Sequence, residues 1–577
     1  MEDKSYSIET IRHSLSHIMA AAVLEMFPKV KLGIGPAIEN GFYYDFELEK
    51  SLTPEDAEKI YKKMCDIIAG DYEFIKRSVP KDEAVKYLKE KNQPYKVELA
   101  EEIKDEEIGF YDLKDMKSGE VIFTDMCAGP HIESTKNLGE VGIGFNRLAG
   151  AYWRGSEKNK MLQRIYFYAF STIKEMQDFA KQLEEAEKRD HRKLGNQMDL
   201  FSFHEEGPGF PFWHAKGMVL WNLLLDWWKK EHRIAGYQEV KTPIILSRNL
   251  WEESGHWDHY KENMYFTKID DRDFAVKPMN CPGGMLVYKS KLHSYKEFPI
   301  RMAEVGLVHR HELAGVLHGL FRVRSFHQDD AHIYCLPEQI ESEISKIIDL
   351  IDKMYGKLGL TYRLELSTRP KEGSIGSDEV WEKAENALKK TLEHKKIDYK
   401  LNPGDGAFYG PKIDFHITDA IGRTWQTATI QLDFAMPERF NLEYTAEDGS
   451  KQRPVMLHRV VFGSFERFIG ILLEHFAGAL PVWLAPVQAQ IIPISEKHLE
   501  YAKKVEKELF DVGVRVALNE RSESMGKKIR EAEMQKIPYM LIIGDKEIEA
   551  DKVAVRKYGE GDKGLMSVEE VTKNILE

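Results

Sequence analysis

The chain has 577 residues, of which 42% are apolar and 31% charged, with a formal net charge of −13. That length predicts three or four domains, each with its own core. No apolar run reaches the ~20 residues that span a bilayer, so no membrane partner is expected, and the acidic balance excludes nucleic-acid binding through a global positive field. Four scattered cysteines (Cys65, Cys127, Cys281, Cys335) read as a reducing, cytoplasmic location without a disulfide framework. The start MEDKSYSIETIRHSLSH has no signal-peptide pattern.

In chain order, residues 1–170 mix helices with short strands and Gly-rich turns. A helix follows over STIKEMQDFAKQLEEAEKRDHRKL. Thr172 and Glu175 have capping-box spacing, and Ile173, Met176, Phe179 and Leu183 form an amphipathic stripe. Its charged outer face reads as an inter-domain connector over 171–189. The block 190–481 opens with GMVLWNLLLDWWKKEHRIAGYQEVKTPII, a long helix, then Gly236, then a strand interrupted by Pro243. A proline inside a strand restricts it to an edge or a bulge. Residues 482–577 alternate strand and helix, a βαβαβ rhythm that implies a small sheet covered by helices. They hold 16 Lys+Arg and 18 Asp+Glu, so any RNA contact there rests on local patches.

The stretch His309–Tyr334, HRHELAGVLHGLFRVRSFHQDDAHIY, carries the most information. With side chains alternating along a strand, Arg322, Arg324, Phe326, Gln328, Asp330 and His332 share one face. That face makes no apolar core; it is a solvated surface or the floor of a polar site. A strand reading PIRMAEVGLVHR precedes it and ends at Arg310. Elsewhere, His13 and His17 in HSLSH lie i,i+4 on one helical face, and Cys127 and His131 in CAGPH follow Asp125. From residue types alone, these two histidines with Cys and His would make a closed zinc site. Cys281 in PMNCPGG, His332 in DDAHIY and His458 in VMLHRVV are too distant in sequence for spacing to signal a metal.

These motifs resemble those of class II aminoacyl-tRNA synthetases, and FHQDDAHIY most closely resembles the bacterial threonyl-tRNA synthetases. The resemblance covers nearly the whole chain. It implies a multidomain α+β fold: an N-terminal α/β editing domain (1–170), the connector (171–189), a central class II antiparallel β-sheet core flanked by helices (190–481), and a C-terminal α/β anticodon-binding domain (482–577). It implies one zinc ion per subunit on Cys281, His332 and His458. ATP and its magnesium would meet Arg310, Glu312, Arg322, Phe326, Gln426, Lys412 and Arg467, the last in GSFERF, which resembles motif 3. Threonine would meet Gln328, Asp330 and Gln431, and His256 in SGHWDHY would help deprotonate the attacking ribose hydroxyl.

Three protein ligands leave a fourth tetrahedral position open, and a site that must bind a hydroxyl rejects valine far better than an apolar pocket can. Serine lacks only one methyl, worth about 1–3 kcal/mol, so a second, hydrolytic site is expected. By resemblance that site holds His13, His17, Lys96, Asp125, Cys127 and His131. Arg521, Glu547 and Arg556 match anticodon-reading positions, though each could equally be a solvated surface charge. The expected partners are tRNA(Thr), ATP, L-threonine and a second copy of the chain, because Pro243 sits where the family pairs its subunits. The chain departs from the family in beginning almost directly at the editing domain, without a ubiquitin-like domain, and in CPGG for CPGH, HRHE for HRNE and SFHQDD for GFTQDD. A synthetase of another specificity and a silent RNA-binding paralogue are the competing readings.

Overall fold

The structure, a computed structural model, describes residues 6–577; the first five residues of the start read above as lacking a signal peptide lie outside them. The chain is α+β and clusters into two compact units, Met1–Glu184 and Glu185–Glu577. No helix among the described residues is long and apolar enough to cross a membrane.

In the first unit, helix Ile8–Met26 is capped by Ser7, whose side chain accepts from Thr10 N. Its buried face, including Leu15, Ile18 and Met19, joins Phe42, Tyr44 and Phe167 in one core. A three-stranded antiparallel sheet, Tyr72–Pro80, Glu107–Asp115 and Val121–Met126, ends immediately before Cys127. The histidines therefore come from a helix, and Cys127 and His131 from the segment that follows a strand.

The connector begins as expected: Thr172 Oγ1 accepts from Glu175 N (3.1 Å). None of the residues in helix Ile173–Lys188 is fully buried. The predicted helix does not run on through Leu194. A second helix, His191–Gln197, starts at Asp190, whose carboxylate accepts from Arg192 N and caps it.

The second unit is built on an eight-stranded sheet. In order, its strands are Gln238–Glu239, Ile300–His309, Ser325–Cys335, Val455–Ser464, Thr424–Asp433, Lys412–Thr418, Thr361–Ser367 and Tyr399–Asn402. All neighbours are antiparallel except the outermost pair at each edge, which is parallel. Helices Ala215–Ile234, Ile340–Lys357, Asp378–His394 and Phe465–His475 supply apolar faces to a core with Ile333, Ile413, Ile430 and Leu457. Pro243 does more than interrupt a strand: Gln238–Glu239 pairs in this sheet, while Ile245–Ser247 pairs in a separate one.

The register across the middle of the sheet assembles the site. His332 stands opposite His458, His458 opposite Gln431, and Gln431 opposite Lys412. Directly opposed residues share a face, so four sequence-remote residues form one row. One expectation fails here. Arg322 and Arg324 precede the strand, which begins at Ser325, so the proposed alternation covers Phe326 to His332 only. A 3₁₀ turn, Gly319–Phe321, leads instead into an irregular segment in which Arg324 N bonds Gly209 O (2.7 Å).

Residues 482–577 contain a five-stranded sheet ordered Val516–Leu518, Ala489–Pro493, Tyr539–Ile543, Val553–Lys557, Gly561–Met566. The first three strands are parallel, as βαβαβ requires, and the last two antiparallel. The Gly-rich strand 561–566 and the terminal helix Val568–Leu576 add to what periodicity predicted.

Candidate functional site

Cys281, His332 and His458 are buried, and one donor atom from each lies within 4.8 Å of the others. His332 Nε2 is buried without a hydrogen-bond partner, which is costly unless something meets it. Asp433 Oδ2 sits 2.8 Å from His458 Nε2. A carboxylate on one nitrogen orients an imidazole and raises its basicity for a metal on the other, so Nδ1 remains for the cluster. Burial pushes the Cys281 thiol well above its ordinary value; a bound cation is what would stabilise its thiolate there. The donor set fits zinc. Asp433 was not anticipated; its only trace in the sequence is its place two residues beyond Gln431 on the same strand.

A cavity of about 190 Å³ opens beside the cluster, lined by Cys281, Arg310, Gln328, Asp330, Tyr409, Lys412, Gln426, Gln431 and His458 among others. Burial raises the Asp330 carboxyl to about 6, and Asn280 Nδ2 donates to it (3.3 Å). Tyr409, a second unanticipated residue, donates its hydroxyl to Gln431 Oε1 (2.5 Å). Gln426 donates to Asp414 (2.7 Å), which also pairs with Lys412 (3.0 Å).

Sharing Arg310, Gln328 and Gln426, a second cavity of about 600 Å³ adds Glu312, Arg322, Phe326, Trp425 and Arg467, a volume in the range that holds a nucleotide-sized ligand. Arg310 lies 5.1 Å over the Phe326 ring, and Glu312 holds Arg322 (2.9 Å). Arg467 lies in the first turn of helix Phe465–His475, which Ser464 caps. Burial, with Arg322 nearby, pulls its guanidinium below the ordinary value, and its Nε has no partner. An arginine does not deprotonate in proteins, so this is a cation awaiting an anion at a helix N-terminus. His256 stands apart. It is fully buried and lines neither cavity; its Nδ1 contacts Ser254 Oγ (2.8 Å) and its Nε2 the sulfur of Met279 (3.0 Å), and burial lowers it to about 3. Met279, whose sulfur meets His256 Nε2, itself lines the smaller cavity.

All six predicted residues of the first unit come together. His13, His17, Cys127 and His131 bring donor atoms within 4.8 Å of one another. Cys127 Sγ lies 3.3 Å from His13 Nε2. Asp125 is held by Lys96 (2.7 Å) and by the Tyr44 hydroxyl (2.5 Å), a residue the motifs had not suggested. Burial lowers His17 and His131 well below the ordinary imidazole value and raises Cys127, so the histidines stay neutral and the thiol protonated. His17 Nδ1 and His131 Nε2 are buried without partners. Donor geometry alone therefore admits a metal here too.

In the C-terminal sheet, Arg521 lines a cavity with Glu496, Lys497 and Lys528 and is engaged by Glu531. Glu547 instead accepts from Gly544 N (2.9 Å), and Arg556 faces Glu533 at 3.6 Å. Neither joins Arg521 in that cavity.

Three family models match the chain: the tRNA synthetase class II core domain (G, H, P, S and T) over 265–476, the anticodon-binding domain over 488–577, and the threonyl and alanyl tRNA synthetase second additional domain over 108–166. The threonine–tRNA ligase of Carboxydothermus hydrogenoformans is 60% identical over 98% of this chain and 88% of its own length, and that of Acetivibrio thermocellus 61% over 99% and 88%. Among solved structures, the RNA-binding domain of threonyl-tRNA synthetase from Cryptosporidium parvum matches at 46% identity with a TM-score of 0.65, covering 67% of this chain and 98% of that one. A putative threonyl-tRNA synthetase from Aeropyrum pernix matches at 31% identity and 0.60, covering 67% and 94%. A three-donor cluster beside an arginine-lined cavity, family models in three parts of the chain and identity near 60% over nearly its whole length agree: this chain belongs to the threonine–tRNA ligase family.

Proposed function

We propose that the chain activates L-threonine with ATP, transfers it to the 3′ end of tRNA(Thr), and hydrolyses seryl-tRNA(Thr) at a second site. The observation that carries the first part is the row His332–His458–Gln431–Lys412 facing Cys281 and opening into a cavity with Arg310 and Asp330. In this reading Cys281, His332 and His458 would hold one zinc ion, whose remaining coordination an amine and a hydroxyl would complete together and a methyl could not. Asp330 and Gln328 hold the amino group and hydroxyl, and the Tyr409–Gln431 pair closes the side of the pocket.

ATP, with magnesium, lies in the larger cavity. Phe326 stacks on adenine, Arg467 meets the γ-phosphate, and Arg310, held over Phe326, meets the α-phosphate. A carboxylate oxygen of threonine attacks the α-phosphorus, the bond to the bridging oxygen breaks, and pyrophosphate leaves. Arg310 neutralises the charge that builds in that step, so the residues act by positioning and electrostatics. The terminal ribose hydroxyl of tRNA then attacks the adenylate carbonyl and AMP leaves. His256 takes part in this second step only if Met279 swings away from its Nε2.

Hydrolysis of the seryl ester belongs to the first unit, where His13 and Cys127 are partly exposed and the Lys96–Asp125 pair is buried. The domain boundaries proposed are 1–170, 171–189, 190–481 and 482–577, with Arg521, Glu547 and Arg556 toward the anticodon. Pairing of two copies through the Pro243 region, and a cytoplasmic location in keeping with four free cysteines, complete the reading. ATP–pyrophosphate exchange with threonine, valine and serine tests it. Exchange is expected with threonine and serine, little with valine, and none after zinc is stripped. Equal exchange with valine would refute the hydroxyl-selective pocket.

A further inference from the structure

His191 lies outside the motifs and is fully buried. Its Nε2 takes a hydrogen bond from Leu320 N (2.9 Å), and its Nδ1 lies 2.7 Å from Glu474 Oε1. A backbone N–H can only donate, so Nε2 is the acceptor and the ring proton is on Nδ1, donated to Glu474. Both nitrogens are engaged, so the Asp190–His191–Glu474 group is a hydrogen-bond node although its spacing would suit an ion.

What the node joins is informative. Leu320 belongs to the turn Gly319–Phe321 between strands Ile300–His309 and Ser325–Cys335, and Glu474 to the end of helix Phe465–His475, whose first turn carries Arg467. Gly319 approaches so closely, at φ +49°, that a Cβ there would lie 2.2 Å from His191 Nε2. Phe321 stacks between His191 (4.1 Å between centroids) and Trp425 (4.4 Å). Trp425 Nε1 donates to Asp419 (3.0 Å), Asp419 holds Arg423 (2.7 Å), and Arg423 returns to Glu474 (2.5 Å). The circuit closes on itself, and Leu320, Phe321, Arg322 and Trp425 all line the larger cavity.

We infer that His191 is a positioning residue for nucleotide binding: it pins the turn Gly319–Phe321 to the helix Phe465–His475, and thereby sets the Phe321–Trp425 wall and the placement of Arg322. This rests on the reading of the larger cavity as the ATP site. His191 touches no substrate; it acts through the turn.

The test measures ATP–pyrophosphate exchange by the full chain, varying ATP at saturating threonine and threonine at saturating ATP. Freeing the turn by loss of the Leu320 N–H bond, together with the Glu474 bond that orients the ring, predicts that His191→Ala raises KM for ATP about tenfold, while kcat and KM for threonine change less than about twofold. His191→Gln, whose amide oxygen can take the Leu320 N–H, should recover most of that loss. Gly319→Ala disturbs the same contact from the other side and removes no atom of the His191–Glu474 pair, so it decides the matter even if His191→Ala does not fold. It should reproduce the rise, and the double variant should add little to the larger single effect. An unchanged KM for ATP in Gly319→Ala, or a fall in kcat alone that tracks a lowered Tm and is not rescued by His191→Gln, overturns the inference. Absence of exchange in the parent chain would instead overturn the functional reading beneath it.

Discussion

The two units each gather histidines around a cysteine, yet the surroundings of the two clusters differ. The cluster of the second unit has three donors, a carboxylate backing one imidazole, and a cavity with Arg310 and Asp330 beside it. The cluster of the first unit has four donors, and the carboxylate beside it stands off at 3.9 Å from His17 Nε2. Its aspartate, Asp125, is already engaged by Lys96 and Tyr44. Three donors with an orienting carboxylate suit an ion that must also bind substrate. Four would close the shell and leave nothing for an ester to approach. In the proposed function the same residue types serve different chemistry, distinguished by donor number and by what stands behind the donors.

The largest effect should come from His458→Ala. Zinc and threonine activation should vanish together, with exchange falling about 10³-fold; a metal-free variant with full exchange would break the assignment. Next, His17→Ala or Cys127→Ala should lower hydrolysis of seryl-tRNA roughly 100-fold while threonine activation stays within about twofold. If either variant loses a metal, unfolds and fails to charge threonine, the first cluster is a structural zinc site and the contrast collapses. Asp433→Asn sharpens the comparison from the other side. It keeps the shape but removes the charge behind His458, and zinc affinity measured by competition with a chelator should weaken about tenfold or more. Smallest is Tyr409→Phe, expected to raise KM for threonine a few-fold by freeing Gln431; parent-like kinetics would remove Tyr409 from the pocket.

Much of this was legible in the sequence because it was local. HSLSH on one helix, CAGPH just after Asp125, and the capping-box spacing of Thr172 and Glu175 each declare themselves within a few residues, and βαβαβ periodicity outlined the C-terminal sheet. What was not legible depends on register between distant strands. Asp433 matters because β-pairing sets Gln431 opposite His458, and Tyr409 because a loop folds over that row. Arg322 and Arg324 were assigned to a strand face by alternation alone, but backbone bonds to Gly209 and His318 draw that segment out of the ladder. His256 illustrates the same gap: a motif position implied contact with substrate, and nothing in the sequence showed that its Nε2 packs on the sulfur of Met279.

Zinc stoichiometry of the purified full chain tests the contrast between the clusters most directly. One ion per subunit is predicted, retained in His17→Ala and lost in His458→Ala. Two ions per subunit, or a single ion that departs with His17, would contradict it.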